Sequence, residues 1–323
     1  MAELRFDGRV AIVTGAGNGL GRSYARLLAA RGARVVVNDI GTSSMGKGFS
    51  EAPAHAVARE IADAGGHAVA DTHSVAEERS AAAVVQTALD TFGRLDILVN
   101  NAGISIMAPF SELSSTDFMK VIDTDMMGVV WMCRAAWPHM QKACYGRIVN
   151  ITSTSFLGHP TLTAYVTARA ATFGLSRTLG LEGIEYNIKC NALSPVAGTR
   201  AVMELLEESE LKSWMMTKLT PDIVAPAVGL LAHEECPVTG QCLSSGGGRV
   251  NLVFWGETHG YVNHELTMEA LRDNFAQVMD RTNHEVPASV LESADFNAWK
   301  LGHKQTRASG GEIQWQPKPY ERG

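Results

Sequence analysis

The chain has 323 residues, which suits one large α/β domain followed by a tail. Apolar residues make up 46% of the sequence and charged residues 19%, so we expect a large core and exclude a disordered or low-complexity scaffold. The formal net charge is −6 and no run of basic residues occurs, which argues against a nucleic-acid partner and against an anionic membrane surface.

The N-terminal residues and the cysteines predict the compartment. Residues 1–9 carry four charged side chains and lack the apolar centre of a secretory signal. No stretch approaches the roughly 18 apolar residues of a membrane span. The five cysteines are odd in number and lack paired CxxC spacing, which favours reduced, buried thiols over disulfides or zinc ligands. We expect a cytoplasmic protein with no membrane span and no metal site.

Short β-branched runs alternate with longer helical patterns along the chain, which is typical of βαβ units. The predicted strands are 10–14, 34–38, 67–71, 95–100, 147–152, 188–193 and a last one near 241–243. The predicted helices are 20–31, 52–64, 76–92, 116–142 and 164–185. This order predicts an α/β fold: a Rossmann-type, doubly wound, parallel seven-stranded sheet with helices on both faces. Ligands of such sheets bind at the carboxyl ends of the strands.

Two segments fall outside this alternation. Residues 41–50 are rich in Gly and Ser and predict a surface loop. Residues 249–323 form a C-terminal extension, with a helical pattern at 268–279 and an extended, proline-containing end at 314–323. We therefore predict a domain at 1–248 and an extension that packs on this body or on a neighbouring subunit.

A glycine-rich turn separates the first predicted strand from the first helix; it contains Gly15, Gly17, Asn18, Gly19, Leu20 and Gly21. Such a turn lets the backbone approach a pyrophosphate, and the free amides and dipole of the following helix attract its negative charge. Asp39 ends the second strand, 18 residues beyond Gly21. A carboxylate there accepts hydrogen bonds from ribose hydroxyls and repels a 2′-phosphate, which favours NAD over NADP as the cofactor.

Four features together resemble the short-chain dehydrogenase/reductase family: TGAGNGLG at 14–21, NNAG at 100–103, the pair Ser153 and Tyr165, and a helix that begins at the tyrosine. The resemblance covers about residues 5–248. LRFDGRVAIVTGAGNGLGR and the later NHELTMEAL are similar, more narrowly, to the (3R)-hydroxyacyl-CoA dehydrogenase units of peroxisomal multifunctional enzymes of type 2.

The resemblance implies further cofactor contacts. Adenine contacts fall at His73, Ser74 and Val75, with His73 in place of the usual carboxylate. The ribose side is lined by Asn101, Ala102 and Gly103, and Pro195 lies beside the nicotinamide amide. Val196 follows Pro195 where the family has Gly. Segment 196–220 corresponds to the part of the family that covers the substrate.

The resemblance also implies the catalytic residues. Tyr165 matches the acid/base residue and Ser153 the residue that polarises the carbonyl group. Their separation of 12 residues is one fewer than the commonest spacing, which a one-residue deletion in the intervening loop explains. Thr152 lies at the commoner spacing of 13 and is the rival of Ser153.

Two positions near the predicted tyrosine depart from the family. Arg169 replaces the usual Lys, and Asp125 replaces an Asn that supports a water next to that Lys. A tyrosine of ordinary pKa near 10 is a poor base at neutral pH, so it needs a nearby cation. A positive charge about 4 Å away supplies roughly 4 kcal/mol at an effective dielectric constant near 20. We expect Arg169 to supply this field, and we hypothesise that Asp125 pairs with Arg169 and partly cancels it. A higher pH optimum or slow turnover would follow.

The leading prediction is an NAD-dependent dehydrogenase that acts on a secondary alcohol, with a 3-hydroxyacyl-CoA as the favoured small-molecule substrate. One alternative is a hydroxysteroid or another bulky alcohol as substrate. The alternative of another class is a weakly catalytic or non-catalytic NAD-binding sensor or structural subunit. The helical segments 116–142 and 164–185 match the family's subunit interfaces, so we expect a homodimer or a homotetramer.

Overall fold

The computed structural model describes residues 3–198 and 209–302. The strands and helices of the sheet domain are β1 Val10–Thr14, α1 Gly19–Ala30, β2 Arg34–Asn38, α2 Ala52–Asp63, β3 His67–Asp71, α3 Glu78–Phe92, β4 Ile97–Asn100, α4 Ser115–Ile122, α5 Gly128–Ala143, β5 Gly146–Ile151, α6 Thr163–Glu182, β6 Ile188–Pro195, α7 Glu210–Lys218, α8 Ala225–Ala232, β7 Cys242–Gly246 and β8 Arg249–Val253. Helices thus separate successive strands from β1 to β7, as a doubly wound sheet requires.

Within the described residues the sheet has eight strands in the order β3-β2-β1-β4-β5-β6-β7-β8. Neighbouring strands from β3 to β7 pair in parallel, which confirms the predicted seven-stranded Rossmann-type sheet. The strand order reverses between β1 and β4, and a crevice opens there at the carboxyl ends of the strands.

An eighth strand lies beyond the predicted boundary at residue 248. β8 pairs antiparallel with β7, so residues 249–253 belong to the sheet and not to the extension. Gly247 and Gly248 connect the two strands with φ values of 58° and 83°. Two successive residues with positive φ form the tight hairpin turn that matches the twist of the flanking strands. Gly246, Gly247 and Gly248 indicate a turn in the sequence, but not the strand that follows it.

Alternate residues of the central strands face two separate halves of the core. On one face Val13 and Val35 are buried with Leu28 of α1. On the other face Ile12 and Val36 are buried with Met132 of α5. Helices therefore cover both faces, and the β-branched strand residues are buried from either side.

The predicted helix 116–142 is interrupted in the structure. A π-helical turn, Asp123–Met127, lies between α4 and α5. Such a turn inserts an extra residue into the helical repeat and changes the direction of the side chains that follow. The apolar periodicity of the sequence does not reveal it.

The chain divides into two units, residues 1–253 and 254–323. The described part of the second unit contains β9 Glu257–Thr258, α9 Met268–Asp273, α10 Phe275–Val278, β10 His284–Glu285 and α11 Val290–Lys300. β9 and β10 pair antiparallel, and the helical pattern predicted at 268–279 corresponds to α9 and α10. The predicted extended segment 314–323 lies outside the described residues.

No helix in 3–198 or 209–302 combines the length and the apolar character that crossing a membrane needs. The five cysteines are free thiols, of which Cys144 is exposed and the others are buried.

Candidate active site

A cavity of about 930 Å³ opens at the carboxyl ends of the parallel strands. The ends of β1, β2, β4, β5 and β6 contribute to its walls, together with the start of α6. Predicted site residues that line it are Gly15, Asn18, Gly19, Leu20, Gly21, Asp39, Ser74, Val75, Asn101, Ala102, Gly103, Ser153, Tyr165, Arg169 and Pro195. Residues from five separate strand ends therefore meet in one cavity.

The glycine-rich turn forms a close-packed backbone cradle beside this cavity. A Cβ atom on Gly17 would lie 2.6 Å from the Cβ of Pro53, and one on Gly21 would lie 2.2 Å from the Gly15 carbonyl oxygen. Helix α1 begins at Gly19, and neither a side-chain cap nor an acidic residue occupies its first turn. The start of α1 thus has the free amides and the positive dipole end that a pyrophosphate needs.

The Asp39 carboxylate lies at the end of β2 and holds two loops. Its Oδ2 accepts a hydrogen bond from the Gly17 N–H at 2.8 Å, and its Oδ1 accepts one from the Gly41 N–H at 2.6 Å. Each carboxylate oxygen has a second lone pair for a ribose hydroxyl. The nearby Arg22 guanidinium is already paired with Glu60 at 2.8 Å. The residues present therefore fit a dinucleotide cofactor.

Asn101 supports the glycine turn from the neighbouring strand end. Its side-chain amide donates to the carbonyl oxygens of Thr14 and Gly15 at 2.9 and 3.0 Å. The Thr14 hydroxyl in turn accepts hydrogen bonds from the Asn101 and Ala102 N–H groups, both at 3.0 Å. The NNAG segment thus fixes the floor of the cavity.

The residues expected at adenine lie on the β3–α3 connection. Ser74 and Val75 line the cavity, as does His73. The His73 ring is half exposed, and its Nδ1 lies 3.0 Å from Asp71 Oδ2. Asp71 is buried and also accepts hydrogen bonds from Asn38 and Thr87.

The candidate hydroxyls around Tyr165 differ in their partners. Thr152 is buried, and its hydroxyl donates to the Arg169 carbonyl oxygen at 2.7 Å. Ser153 is partly exposed and lines the cavity, and its Oγ accepts a hydrogen bond from the Ser155 N–H at 3.2 Å. Among residues 3–198 and 209–302 no acceptor takes the Ser153 hydroxyl proton, which leaves it for a substrate oxygen. Thr152 and Ser153 therefore have different surroundings, because the Thr152 hydroxyl is hydrogen-bonded to the backbone of α6.

Asp125 and Arg169 form a buried ion pair. Arg169 Nη2 lies 2.7 Å from Asp125 Oδ2, and the two side chains are 5% and 0% exposed. Asp125 also accepts the Ile104 N–H at 2.8 Å, while Arg169 Nη1 donates to the Ile151 carbonyl oxygen at 2.7 Å. The Arg169 guanidinium carbon lies 4.9 Å from the centre of the Tyr165 ring. The two departures from the family pattern are thus in direct contact, next to the tyrosine.

Gly103 makes room for this ion pair. A Cβ atom at Gly103 would lie 2.1 Å from Arg169 Nη2 and 2.7 Å from Asp125 Oδ2. The last glycine of the NNAG segment is therefore required by the arginine packed against it.

Burial and charge act in opposite directions on the pair. Burial raises the pKa of Asp125 to about 6, although the Arg169 charge and the Ile104 N–H both lower it. Burial disfavours the charged form of Arg169 as well, but Asp125 and Tyr165 offset this effect and raise its pKa. At neutral pH the pair is therefore ionised.

Several cavity residues were missed in the sequence. Ser155 lines the cavity, and its Oγ is buried without a hydrogen-bond partner in the described part of the chain. Loop 41–50, which we call the strap, contributes Thr42, Ser43, Ser44 and Gly46, and α4 contributes Lys120. The sequence predicted the strap as a loop, but no local signal indicated which cavity it lines. Of the predicted substrate segment 196–220, residues 199–208 lie outside the described part.

Comparison with known proteins relates this site to an enzyme family. Residues 9–210 match the family model described as short chain dehydrogenase. The chain is 41% identical over 297 residues to the peroxisomal multifunctional enzyme type 2 of mouse, Mus musculus, a match that covers 90% of this chain and 39% of the mouse enzyme. The chain therefore spans about two fifths of that relative.

Two solved structures show the same likeness. The full-length peroxisomal multifunctional enzyme type 2 of Drosophila melanogaster has a TM-score of 0.77 and 32% identity, over 94% of this chain and 51% of that one. A 7α-hydroxysteroid dehydrogenase, in complex with NADH and 7-oxo glycochenodeoxycholic acid, has a TM-score of 0.69 and 31% identity, over 77% of this chain and 98% of that one. The chain belongs to the short-chain dehydrogenase family and is an oxidoreductase that acts on CH–OH groups.

Proposed function

We propose that the protein transfers a hydride between NAD(H) and a secondary alcohol or its ketone, with a 3-hydroxyacyl-CoA and 3-ketoacyl-CoA pair as the substrate class. One observation carries the proposal: Ser153, Tyr165 and Arg169 line the same cavity as Asp39 and the glycine turn. Asp39 supports NAD rather than NADP, since its charge repels a 2′-phosphate and Arg22 is already paired with Glu60.

The protein's own residues would handle the proton and the substrate oxygen. The glycine turn and Asp39 would hold NAD, which would supply the acceptor for the hydride of the carbinol carbon. The Tyr165 oxygen takes the hydroxyl proton during oxidation and returns it during reduction. Ser153 donates a hydrogen bond to the substrate oxygen, which stabilises negative charge there. The buried Arg169 guanidinium lies beside the Tyr165 ring, and its ion pair with Asp125 holds it there.

The acyl-CoA substrate is supported by the 41% identity to an enzyme whose dehydrogenase unit the sequence resembles. A hydroxysteroid is the second candidate, because a 7α-hydroxysteroid dehydrogenase superposes over 77% of the chain. Family membership favours an enzyme over the non-catalytic sensor considered from the sequence. The cytoplasmic location stays a prediction; the mouse and fly relatives are peroxisomal by name.

The test is NADH oxidation with a panel of 3-ketoacyl-CoAs and ketosteroids, with NADPH as the cofactor control. We expect turnover with NADH and a 3-ketoacyl-CoA, and a loss of about 10²–10⁴-fold in Tyr165→Phe with NADH binding retained. Preference for a ketosteroid would move the substrate class to the second candidate. Saturable NADH binding without turnover on the whole panel would contradict the proposed substrates.

A matched set of hydroxyl variants separates the neighbouring residues. Ser153→Ala should lower kcat strongly, whereas Ser155→Ala, which removes a cavity hydroxyl two residues away, should retain most of it. A large loss in Ser155→Ala with little in Ser153→Ala would assign the polarising role to Ser155.

A further inference from the structure

The strap, residues 41–50, reaches from the end of β2 to α4 and forms one wall of the cavity. Its base is held at β2, where Asp39 accepts the Gly41 N–H at 2.6 Å and the Ser50 N–H donates to the Ile40 carbonyl oxygen at 3.0 Å. A base fixed at both ends leaves the tip as the part that can move away from the cavity.

The tip of the strap is held by a lysine of α4. Lys120 Nζ donates to the Gly46 carbonyl oxygen at 2.7 Å and to that of Met45 at 3.4 Å. The Ser105 N–H adds a hydrogen bond to the Ser44 carbonyl oxygen at 2.9 Å. Within the described residues Lys120 has no carboxylate partner, so its ammonium group acts on backbone carbonyl oxygens of the strap. Hydrogen bonds from a charged donor are stronger than those between neutral groups.

The tip also packs closely at this point. Gly46 has φ +70°, and a Cβ atom there would lie 3.0 Å from Ile104 Cδ1 and 3.1 Å from Lys120 Cε. Gly48, two residues on, has φ +85° but open space around the Cβ position. Of these two glycines, Gly46 thus makes the close contact with the rest of the domain, next to the lysine.

We propose that Lys120 is a positioning residue that clamps the strap over the cofactor cavity. Release of a bound dinucleotide then requires the hydrogen bonds between Lys120 and the strap tip to break. The inference rests on the proposed dinucleotide binding in this cavity. Thr42, Ser43 and Ser44 form the wall that continues from Asp39, the residue expected at the ribose. A strap closed at both ends therefore retains the adenosine half of the cofactor, and its opening rate limits dissociation.

The first experiment measures NADH release by stopped-flow fluorescence, with excess NAD to trap the free enzyme. Lys120→Met should release NADH about tenfold faster, since it loses a charge-assisted hydrogen bond. Lys120→Arg keeps a charged donor and should restore most of the retention. Lys47→Met is the matched control, because Lys47 is an exposed lysine of the same strap and its removal changes the charge equally. Its release rate should stay within about twofold of the wild type.

The second experiment follows the strap itself and needs no cofactor. Trypsin cleaves after Lys47. The Lys47 carbonyl oxygen accepts the Ser43 N–H at 2.9 Å within the strap, so the cut requires this turn to open. Cleavage at Lys47 should be faster in Lys120→Met and in Gly46→Ala than in the wild type. Gly48→Ala carries the same backbone strain without the contact and should be cut at nearly the wild-type rate.

The outcomes distinguish a clamp on the strap from a general effect of positive charge on the cofactor. Unchanged NADH release in Lys120→Met would overturn the proposal, as would equal acceleration by Lys47→Met, which would indicate general attraction of cofactor phosphates. Equal trypsin rates in Gly46→Ala and Gly48→Ala would also overturn it. Failure of the wild type to bind NADH would reject the proposed function together with the retention role, whereas normal NADH binding with an unchanged Lys120→Met would reject only the clamp.

Discussion

At the scale of single residues, the site combines a buried ion pair with the tyrosine expected to carry the proton. Asp125 has no exposed surface, and its partner Arg169 lies over the Tyr165 ring. A buried carboxylate is stable only when a charge and hydrogen bonds compensate the loss of water. Arg169 and the Ile104 N–H supply that compensation, but incompletely, because the pKa of Asp125 remains raised to about 6.

The raised pKa predicts a pH-dependent stability. The folded value of about 6 lies above the ordinary 3.8, so folding favours the protonated acid. The stabilisation that the protonated Asp125 carboxyl gives to the folded state is fully present below pH 3.8 and is lost as the pH rises through 6. Between pH 4.5 and 8.0 the unfolding free energy of the wild type should fall by about 2 kcal/mol relative to Asp125→Asn.

Urea unfolding of both proteins at the two pH values measures this difference. Asp63→Asn removes an exposed carboxylate from the end of α2 and controls for the change in net charge. An equal response of wild type and Asp125→Asn to pH would show that the Asp125 carboxyl titrates alike in the folded and unfolded states.

The contact of Gly103 with the ion pair gives a second prediction. Gly103→Ala should destabilise the wild type by about 2 kcal/mol, because the new methyl group overlaps Arg169 Nη2. Lys has no atom equivalent to Nη2, so the same change should cost less in an Arg169→Lys background. A double-mutant cycle in urea measures this coupling. Gly174→Ala, a change in α6 with open space around the Cβ, is the control. Equal costs of Gly103→Ala in both backgrounds would contradict the proposed steric origin.

At the scale of elements, local irregularities place the functional side chains. The π-helical turn between α4 and α5 contains Asp125 and directs it into the interior. α6 carries Tyr165 and Arg169 four residues apart, and therefore on one face of the helix. The carboxyl end of β5 delivers Ser153 to the same place. The ion pair and the cavity wall thus depend on where three elements end or change pitch.

The end of α5 offers a test of element stability. Cys144 caps this helix in the left-handed conformation, with φ 48°. This conformation destabilises a residue that has a Cβ atom, whereas glycine adopts it without that cost. Cys144→Gly should raise the unfolding free energy by about 1 kcal/mol, measured in urea. Cys144→Ala removes the same thiol but keeps the Cβ atom, so it should give no such gain. Equal gains in the two variants would attribute the effect to the thiol.

At the scale of the whole molecule, the second unit exposes many large apolar side chains. In the described part of 254–323, Met268, Val290 and Leu301 are 83%, 78% and 60% exposed. Apolar surface of this kind is typical of a region that another chain covers. That the extension packs on the body or on a neighbouring subunit stays a prediction from the sequence.

We predict that the protein is a dimer in solution. The family's helical interfaces allow larger assemblies, but the long extension is expected to block one of the usual tetramer faces. Static light scattering after size exclusion should give the mass of two chains. A mass of four chains would refute the blocking role of the extension, and a single-chain mass would refute self-association.

Local sequence determined much of the fold and the residues that form the cavity wall at the ends of β1 and β2. β1, β2 and β3 have the predicted bounds. Short runs of β-branched residues such as theirs are most stable as strands of a sheet that is buried on both faces. The sequence also indicated the positions of the glycine turn and of Asp39. Each depends on a few adjacent residues: glycines that allow a tight turn, and a carboxylate that follows a strand.

Only the tertiary structure decided how distant residues meet. The two departures from the family pattern suggested the pairing of Asp125 with Arg169, but the contact itself joins residues 44 positions apart and depends on a π-helical turn that hydrophobic periodicity does not encode. The surroundings that distinguish Thr152 from Ser153 arise from packing of β5 against α6, and Lys120 reaches the strap across 74 positions. Spacing in the sequence specifies local conformation, whereas these contacts depend on which surfaces the packed sheet and helices bring together.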